Sequence, residues 1–234
     1  FNKNSNETYT KGIETLDERL KPFAKNGVKF TKWRAVINIG KSTPSKQCIE
    51  KNSSLLAEYA LISQNNKLVP IVEPEVIMEG EHNIDKCYQV TKEMLNQVFN
   101  SLKEKNVDLK AMLLKPNMIV PGNKSGKKLN IKEIAEKTLT CLTETVSKEI
   151  PGIVFLSGGL SSINATKILN EINKLNNTSW NLSFSYGRAL QEDALKAWGG
   201  KSENKNIIQK VFLHRAKMNS LACNGKWDTS LENE

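Results

Sequence analysis

Side chains able to do chemistry recur at nearly even intervals along this 234-residue chain. Lys32 lies in Thr31-Lys32-Trp33-Arg34-Ala35-Val36, and Glu73 in Val69-Pro70-Ile71-Val72-Glu73-Pro74-Glu75-Val76. Lys115 lies in Leu113-Leu114-Lys115-Pro116-Asn117, and Ser157 opens Ser157-Gly158-Gly159. The successive separations are 41, 42 and 42 residues. Each group interrupts an apolar run, where a charge is costly unless it is paired. Lys32, Glu73, Glu75 and Lys115 could neutralise one another, and that leaves two readings. In one, they form an ion-pair network that only fills an interior. In the other, a lysine crowded by a second cation and partly desolvated releases its proton easily, and its neutral amine attacks a carbonyl to form a Schiff base. A neighbouring carboxylate would move the protons that this chemistry needs.

A second group of residues points to an anion. Phe155-Leu156-Ser157-Gly158-Gly159 ends one apolar run and Ser183-Phe184-Ser185-Tyr186-Gly187-Arg188 ends the next. Glycine lets backbone N–H groups approach an anion closely, and a helix start adds a favourable dipole. Ser157, Gly158, Ser185, Gly187 and Arg188 are therefore candidates for a phosphate site, with Arg188 adding a charge-assisted contact. The alternative is a tight turn beside a surface cation. Two such ends in succession, one carrying an arginine, favour phosphate.

The elements that must position these groups alternate. Phe30–Ile39, Leu68–Val76, Ala111–Ile119, Ile153–Ser157 and Leu182–Tyr186 read as strands. Ser45–Gln64, Ile84–Leu102, Ile131–Val146 and Ser162–Leu175 have helical spacing, and Ala189–Trp198 and Asn204–Ser220 follow the last strand. Ser42-Thr43-Pro44 reads as a helix start, and Asn26-Gly27 and Asn65-Asn66 as helix stops. Strands alternating with helices imply a parallel sheet with helical crossovers. An open doubly wound sheet usually carries a glycine-rich turn after its first strand, and neither G-x-G-x-x-G nor G-x-x-x-x-G-K-[ST] occurs. A (β/α)8 TIM barrel instead places polar residues at the ends of several strands, with phosphate loops after the last two. That is the pattern here.

Composition narrows the function. The net charge of +9 comes from 34 basic and 25 acidic residues spread along the chain. The nearest basic cluster, Lys124-Ser125-Gly126-Lys127-Lys128, has no nucleic-acid motif beside it, so a solvated basic surface is expected rather than a dedicated nucleic-acid site. Cys48, Cys87, Cys141 and Cys223 form no C-x-x-C pair, which argues against a zinc site or disulfide framework and fits a reducing compartment. The apolar runs are too short to span a bilayer, and His82 and His214 give little material for a metal site. Trp33, Trp180 and Trp198 are expected to pack rather than to bind a cofactor.

Taken together, Lys32-Trp33-Arg34, Val69–Val76, Leu113–Met118, Phe155–Gly159, Leu182–Leu190 and Ala197–Lys201 resemble the class I fructose-1,6-bisphosphate aldolases in order and spacing, from about Lys11 to about Lys226. The resemblance implies that Lys115 is the Schiff-base lysine. It implies that Glu73 handles protons, that Lys32 supports carbinolamine chemistry, and that Glu75 and Arg34 line the same pocket. Ser157, Gly158, Gly187 and Arg188 match the site for the ketose C1 phosphate. It also implies reversible cleavage of fructose 1,6-bisphosphate to dihydroxyacetone phosphate and glyceraldehyde 3-phosphate. No metal or other cofactor is implied, because the protonated imine is the electron sink. A cytoplasmic location and a homotetramer for the intact protein follow from the same likeness, with acidic or cytoskeletal proteins as secondary partners. The family carries a further N-terminal third and a C-terminal tail. The expectation is one catalytic barrel domain over residues 1–234 with about five of the eight strands, the family's fourth to eighth, and two open parallel edges. Two rivals stay open: a Schiff-base lyase for another phosphosugar, and a non-catalytic anion-binding scaffold.

Overall fold

The structure is a computed structural model and describes residues 7–233. The elements run α1 (Leu16–Lys25), β1 (Phe30–Ile37), α2 (Lys46–Asn65), β2 (Val69–Val76), α3 (Ile84–Glu104), β3 (Leu113–Leu114), α4 (Ile131–Thr145), β4 (Gly152–Phe155), α5 (Ser162–Leu175), β5 (Asn181–Phe184), α6 (Arg188–Trp198) and α7 (Lys205–Ala222). The five strands pair in parallel, in sequence order, into one sheet whose ends β1 and β5 do not meet. β2 is buried at every position after its first residue, as expected for a strand covered on both faces. The strand–helix alternation read from the sequence is therefore what forms.

Local chemistry sets the helix starts. Ser45, Asn83, Asn130 and Ser161 each cap a helix by accepting a hydrogen bond from the backbone N–H three residues on. Each cap satisfies a donor that the first turn leaves unpaired. The start signal at Ser42-Thr43-Pro44 stands just ahead of the helix, as expected: α2 begins at Lys46 and its cap is Ser45, held extended at φ −77° and ψ 154°. Ser45 is itself anchored, its hydroxyl donating to Glu7 Oε2 at 2.9 Å. The carboxylate thus sits where the helix dipole favours negative charge.

One expectation changes, in the third strand, and two details are added. Helix α1 was legible only through its stop at Asn26-Gly27, where Gly27 has φ +84°. The third strand was expected over Ala111–Ile119 but pairs only at Leu113–Leu114. Lys115 N–H reaches Val72 O at 2.8 Å, but the next donor due from β2 is Pro74, which has no N–H, so the ladder stops there. The outer edge of β1 is not bare, because Thr10 Oγ1 donates to Arg34 O at 2.6 Å. That contact occupies one of the edge acceptors that would otherwise invite another strand.

Behind the sheet, α7 and the final 3-10 turn (Thr229–Asn233) are joined by a buried clamp. Arg215, 6% exposed, donates to both carboxylate oxygens of Glu232 at 2.9 and 2.8 Å. Trp227 Nε1 donates to the same carboxylate at 2.9 Å. Burial works to raise the Glu232 carboxyl, but these donors outweigh it and hold it below the usual glutamate value. Three thiols are interior: burial pushes Cys48 and Cys87 up to about 11 and Cys141 up to about 12. Cys223 is only partly buried, with its Sγ 3.4 Å from Ser183 Oγ.

The clamp gives the first prediction. Glu232→Gln leaves Arg215 buried without its counter-charge and should cost about 3 kcal/mol at neutral pH. Because the folded-state pKa of Glu232 is depressed, its contribution is present above the unfolded pKa and is lost as pH falls through the folded one. Chemical denaturation of both proteins should therefore show their stabilities converging on acidification. A difference that persists undiminished in acid would contradict the charge-based account.

Candidate active site

Glu73 stands between two ammonium groups. Its Oε1 lies 3.0 Å from Lys115 Nζ and its Oε2 lies 3.0 Å from Lys32 Nζ. Glu73 and Lys115 are 3% and 7% exposed, whereas the Lys32 side chain is 44% exposed. The buried pair is thus Glu73–Lys115, and Lys32 closes it from the solvent side. Beside this triad, Arg34 Nε donates to Glu75, also buried. That hydrogen bond raises the already high pKa of the guanidinium against the opposing effect of burial.

The sheet explains why these side chains meet. Residues two apart on a strand share a face, so Lys32 and Arg34 face one way from β1 and Glu73 and Glu75 face the same way from β2. Lys32 pairs in register with Ile71, and Arg34 with Glu73. Both ion pairs are therefore diagonal, each cation reaching forward to the next carboxylate along. On the other side Val72 pairs with Leu114 and brings Lys115 level with Glu73. Even spacing in sequence is thus not equal level in the sheet. Lys32 starts behind Glu73, and Ser157 emerges beyond Val154, the residue level with Lys115.

A residue that the sequence reading passed over supports the lower end of the site. Tyr59 of α2 is buried, accepts the Ile71 N–H at 3.1 Å and lies 2.8 Å from Thr31 Oγ1. Its ring stacks on Trp33 at 5.6 Å between centroids, in keeping with a packing role for that tryptophan. Tyr59 so joins β1 to β2 on either side of Lys32. The only sequence cue was a tyrosine on the inward face of α2, four residues before Ser63, which also bonds to Thr31.

The phosphate candidates gather at the ends of β4 and β5. Gly158 and Gly159 both have positive φ, +56° and +93°, a backbone that glycine adopts without strain. A Cβ on Gly159 would lie 3.9 Å from Arg188 Nη2, so the guanidinium hangs over this turn. Ser157 is buried, and Ser185 is tied to β4 through its N–H to Phe155 O at 2.9 Å. Gly187 caps α6, and Arg188 is its first residue. Among the described residues, no hydrogen bond or ion pair joins this cluster to the Lys32–Glu73–Lys115 triad. They are two neighbouring stations of one sheet end.

The triad can do more than neutralise itself. Each oxygen of Glu73 is committed to a different lysine, so a proton leaving Lys115 has a carboxylate at hydrogen-bond distance to receive it. The resulting amine would be buried beside a cation, the setting in which a lysine becomes a nucleophile. The sheet, the lysine–carboxylate–lysine triad and the glycine turns define an α/β protein of the barrel class with a lysine-centred site. Comparison with known proteins agrees. The model of the family "Fructose-bisphosphate aldolase class-I" matches residues 1–234. Fructose-bisphosphate aldolase 4, cytosolic, of Arabidopsis thaliana is 49% identical over 220 residues, covering 94% of this chain and 56% of that protein. Fructose-bisphosphate aldolase B of Gallus gallus is 47% identical over 225 residues, covering 96% and 62%. Among solved structures, the Plasmodium falciparum fructose-bisphosphate aldolase in complex with TRAP and a small-molecule inhibitor superposes with a TM-score of 0.95 at 43% identity. That match covers 97% of this chain and 66% of that one. This chain belongs to the class I fructose-bisphosphate aldolase family, and its open five-stranded sheet is part of the family's (β/α)8 barrel. It spans about 56–66% of the length of the curated relatives it matches.

The triad's charge order predicts an asymmetry. Glu73→Ala leaves two cations facing each other, one buried, whereas Lys115→Met leaves Glu73 still paired with Lys32. Denaturant titration should show Glu73→Ala as the costlier change, by about 2 kcal/mol or more. Equal losses would mean that the carboxylate is not the element holding the strands' charges together.

Proposed function

We propose that this protein cleaves fructose 1,6-bisphosphate reversibly to dihydroxyacetone phosphate and glyceraldehyde 3-phosphate, through a Schiff base on Lys115. The observation that carries the reading is the burial of Lys115 against a carboxylate that also holds a second lysine. Lys115 attacks the ketose carbonyl. Glu73 accepts the proton lost from the amine and returns it when the carbinolamine expels water. Lys32, the exposed cation of the triad, steadies the developing oxyanion. Cleavage of the C–C bond leaves electrons that the protonated imine accepts, so the protein needs no metal or other cofactor for this step. Arg34 and Glu75 shape the wall beside Lys32. Ser157, Gly158, Ser185, Gly187 and Arg188 take the phosphate nearest the ketose carbonyl, the turn supplying N–H groups and Arg188 the charge.

Residues 1–234 are read as one catalytic barrel domain. The cytosolic description of the Arabidopsis relative and the absence, among the described residues, of any helix long and apolar enough to cross a membrane support a cytoplasmic site of action. We also place the intact protein in a homotetramer. The excess of basic residues and the TRAP complex of the Plasmodium relative support secondary binding of anionic protein partners.

The test is chemical trapping. Incubation with dihydroxyacetone phosphate, followed by borohydride reduction and peptide mapping, should place the adduct on Lys115. Lys115→Ala should abolish it, and Glu73→Gln should slow its formation about 100-fold or more. Parallel runs on this chain and on a form extended with the segments its relatives possess separate a folding failure from a chemical one. No adduct in either, or an adduct on another lysine, removes the reading.

A further inference from the structure

We propose that Asn117 is a positioning residue for Lys115: its side chain replaces the backbone ladder that Pro74 interrupts and so sets the spacing between Lys115 and Glu73. The proposal rests on the role assigned to Lys115 above. The register of β2 with β3 ends at Val72–Leu114, followed by the Lys115 N–H to Val72 O bond. Pro74, whose nitrogen faces Lys115 O, offers no donor, and Pro116 faces β4 instead, its carbonyl accepting from Leu156 N at 3.1 Å. From Glu73 to Val76, β2 therefore has no backbone partner on its β3 side. That is the stretch that carries both carboxylates of the site.

Asn117 closes the gap. Its Oδ1 accepts the Val76 N–H at 3.1 Å, and its Nδ2 donates to Thr91 Oγ1 at 3.1 Å and to Met118 O at 3.1 Å. Thr91 lies on α3, the crossover between these two strands. A single amide, 5% exposed, thus ties together the end of β2, the segment leaving β3 and the helix that connects them. Asparagine suits the place because one side chain must both accept and donate. Without it, among the described residues, the Glu73–Lys115 ion pair would be the one tie on this side between Val72 and the loops beyond, which meet again where Asn123 N–H reaches Met78 O, and a pair held at one point alone can lengthen or exchange partners. Placement of groups that must transfer a proton demands tighter control than that.

The experiment reads the amine itself. Trace acylation across a pH series, quantified at each lysine by mass spectrometry, reports the reactivity of Lys115 whether or not an imine forms, and imine trapping on the same samples reports the function separately. Three variants are compared: Asn117→Ala, Thr91→Val and Thr138→Val. Thr91→Val removes only the anchor to α3 and keeps the bond to Val76. Thr138→Val is the control, because Thr138 is equally buried and accepts the Ile119 N–H at 3.0 Å in the same loop, without touching β2. The expected result is a shifted acylation profile at Lys115 in Asn117→Ala, with a rate change of about threefold to tenfold, the scale of one lost hydrogen bond. A smaller shift in the same direction is expected in Thr91→Val, and none in Thr138→Val or at other lysines. If Asn117→Ala does not fold, Thr91→Val against Thr138→Val decides. A Lys115 profile unchanged in Asn117→Ala, or moved equally by Thr138→Val, overturns the proposal and leaves Asn117 a structural residue only. A shifted profile without trapping in any protein would uphold the positioning and sink the imine.

Discussion

The arrangement depends on one carboxylate serving two ammonium groups in a place that water hardly reaches. Glu73 alone would be a buried anion and Lys115 alone a buried cation, and either would be costly. Together they neutralise, and Lys32 adds a second cation to the carboxylate from the solvent side. The same contact that makes the interior tolerable therefore sets up the chemistry. In the proposed reaction, the lysine that would lose a proton lies beside the carboxylate that would receive it.

This constraint propagates outward. Two diagonal ion pairs between β1 and β2 require the observed register, since slipping one strand by a residue would turn its charges to the helix layer. Tyr59 holds that register on one side of Glu73, and Asn117 holds the neighbouring junction on the other. The glycine turns after β4 and β5 need no link to the triad. Their backbone is fixed by its own geometry, and an anion bound there would share only the substrate with Lys115.

Much of this was legible in the sequence. Strand–helix alternation gave the parallel sheet, because covered strands are continuously apolar and the few charges inside them stand out. Lys32, Glu73 and Lys115 could be paired from cost alone. Levels could not be read. The interval from Lys115 to Ser157 equals that from Glu73 to Lys115, yet only the latter residues are level, because loop lengths absorb the difference. The short β3 was foreshadowed by Pro74 on its β2 side and Pro116 on its β4 side, but an apolar run from Ala111 to Ile119 masked it. Tyr59 and Asn117 escaped notice for a common reason: a polar group that bonds to a neighbouring strand's backbone has no partner that sequence spacing can point to.

The buried thiols carry a practical corollary. With pKa values of about 11 and 12, Cys48, Cys87 and Cys141 hold less than about one part in a thousand as thiolate at neutral pH, and electrophiles act on the thiolate. Cys223 is the least enclosed of the four; burial raises its thiol too, and its sulfur lies 3.4 Å from Ser183 Oγ on the strand leading to the Gly187–Arg188 turn. Of the four thiols, Cys223 thus offers a fluorophore or spin label the most open attachment point, close to the strand end where an anion would dock.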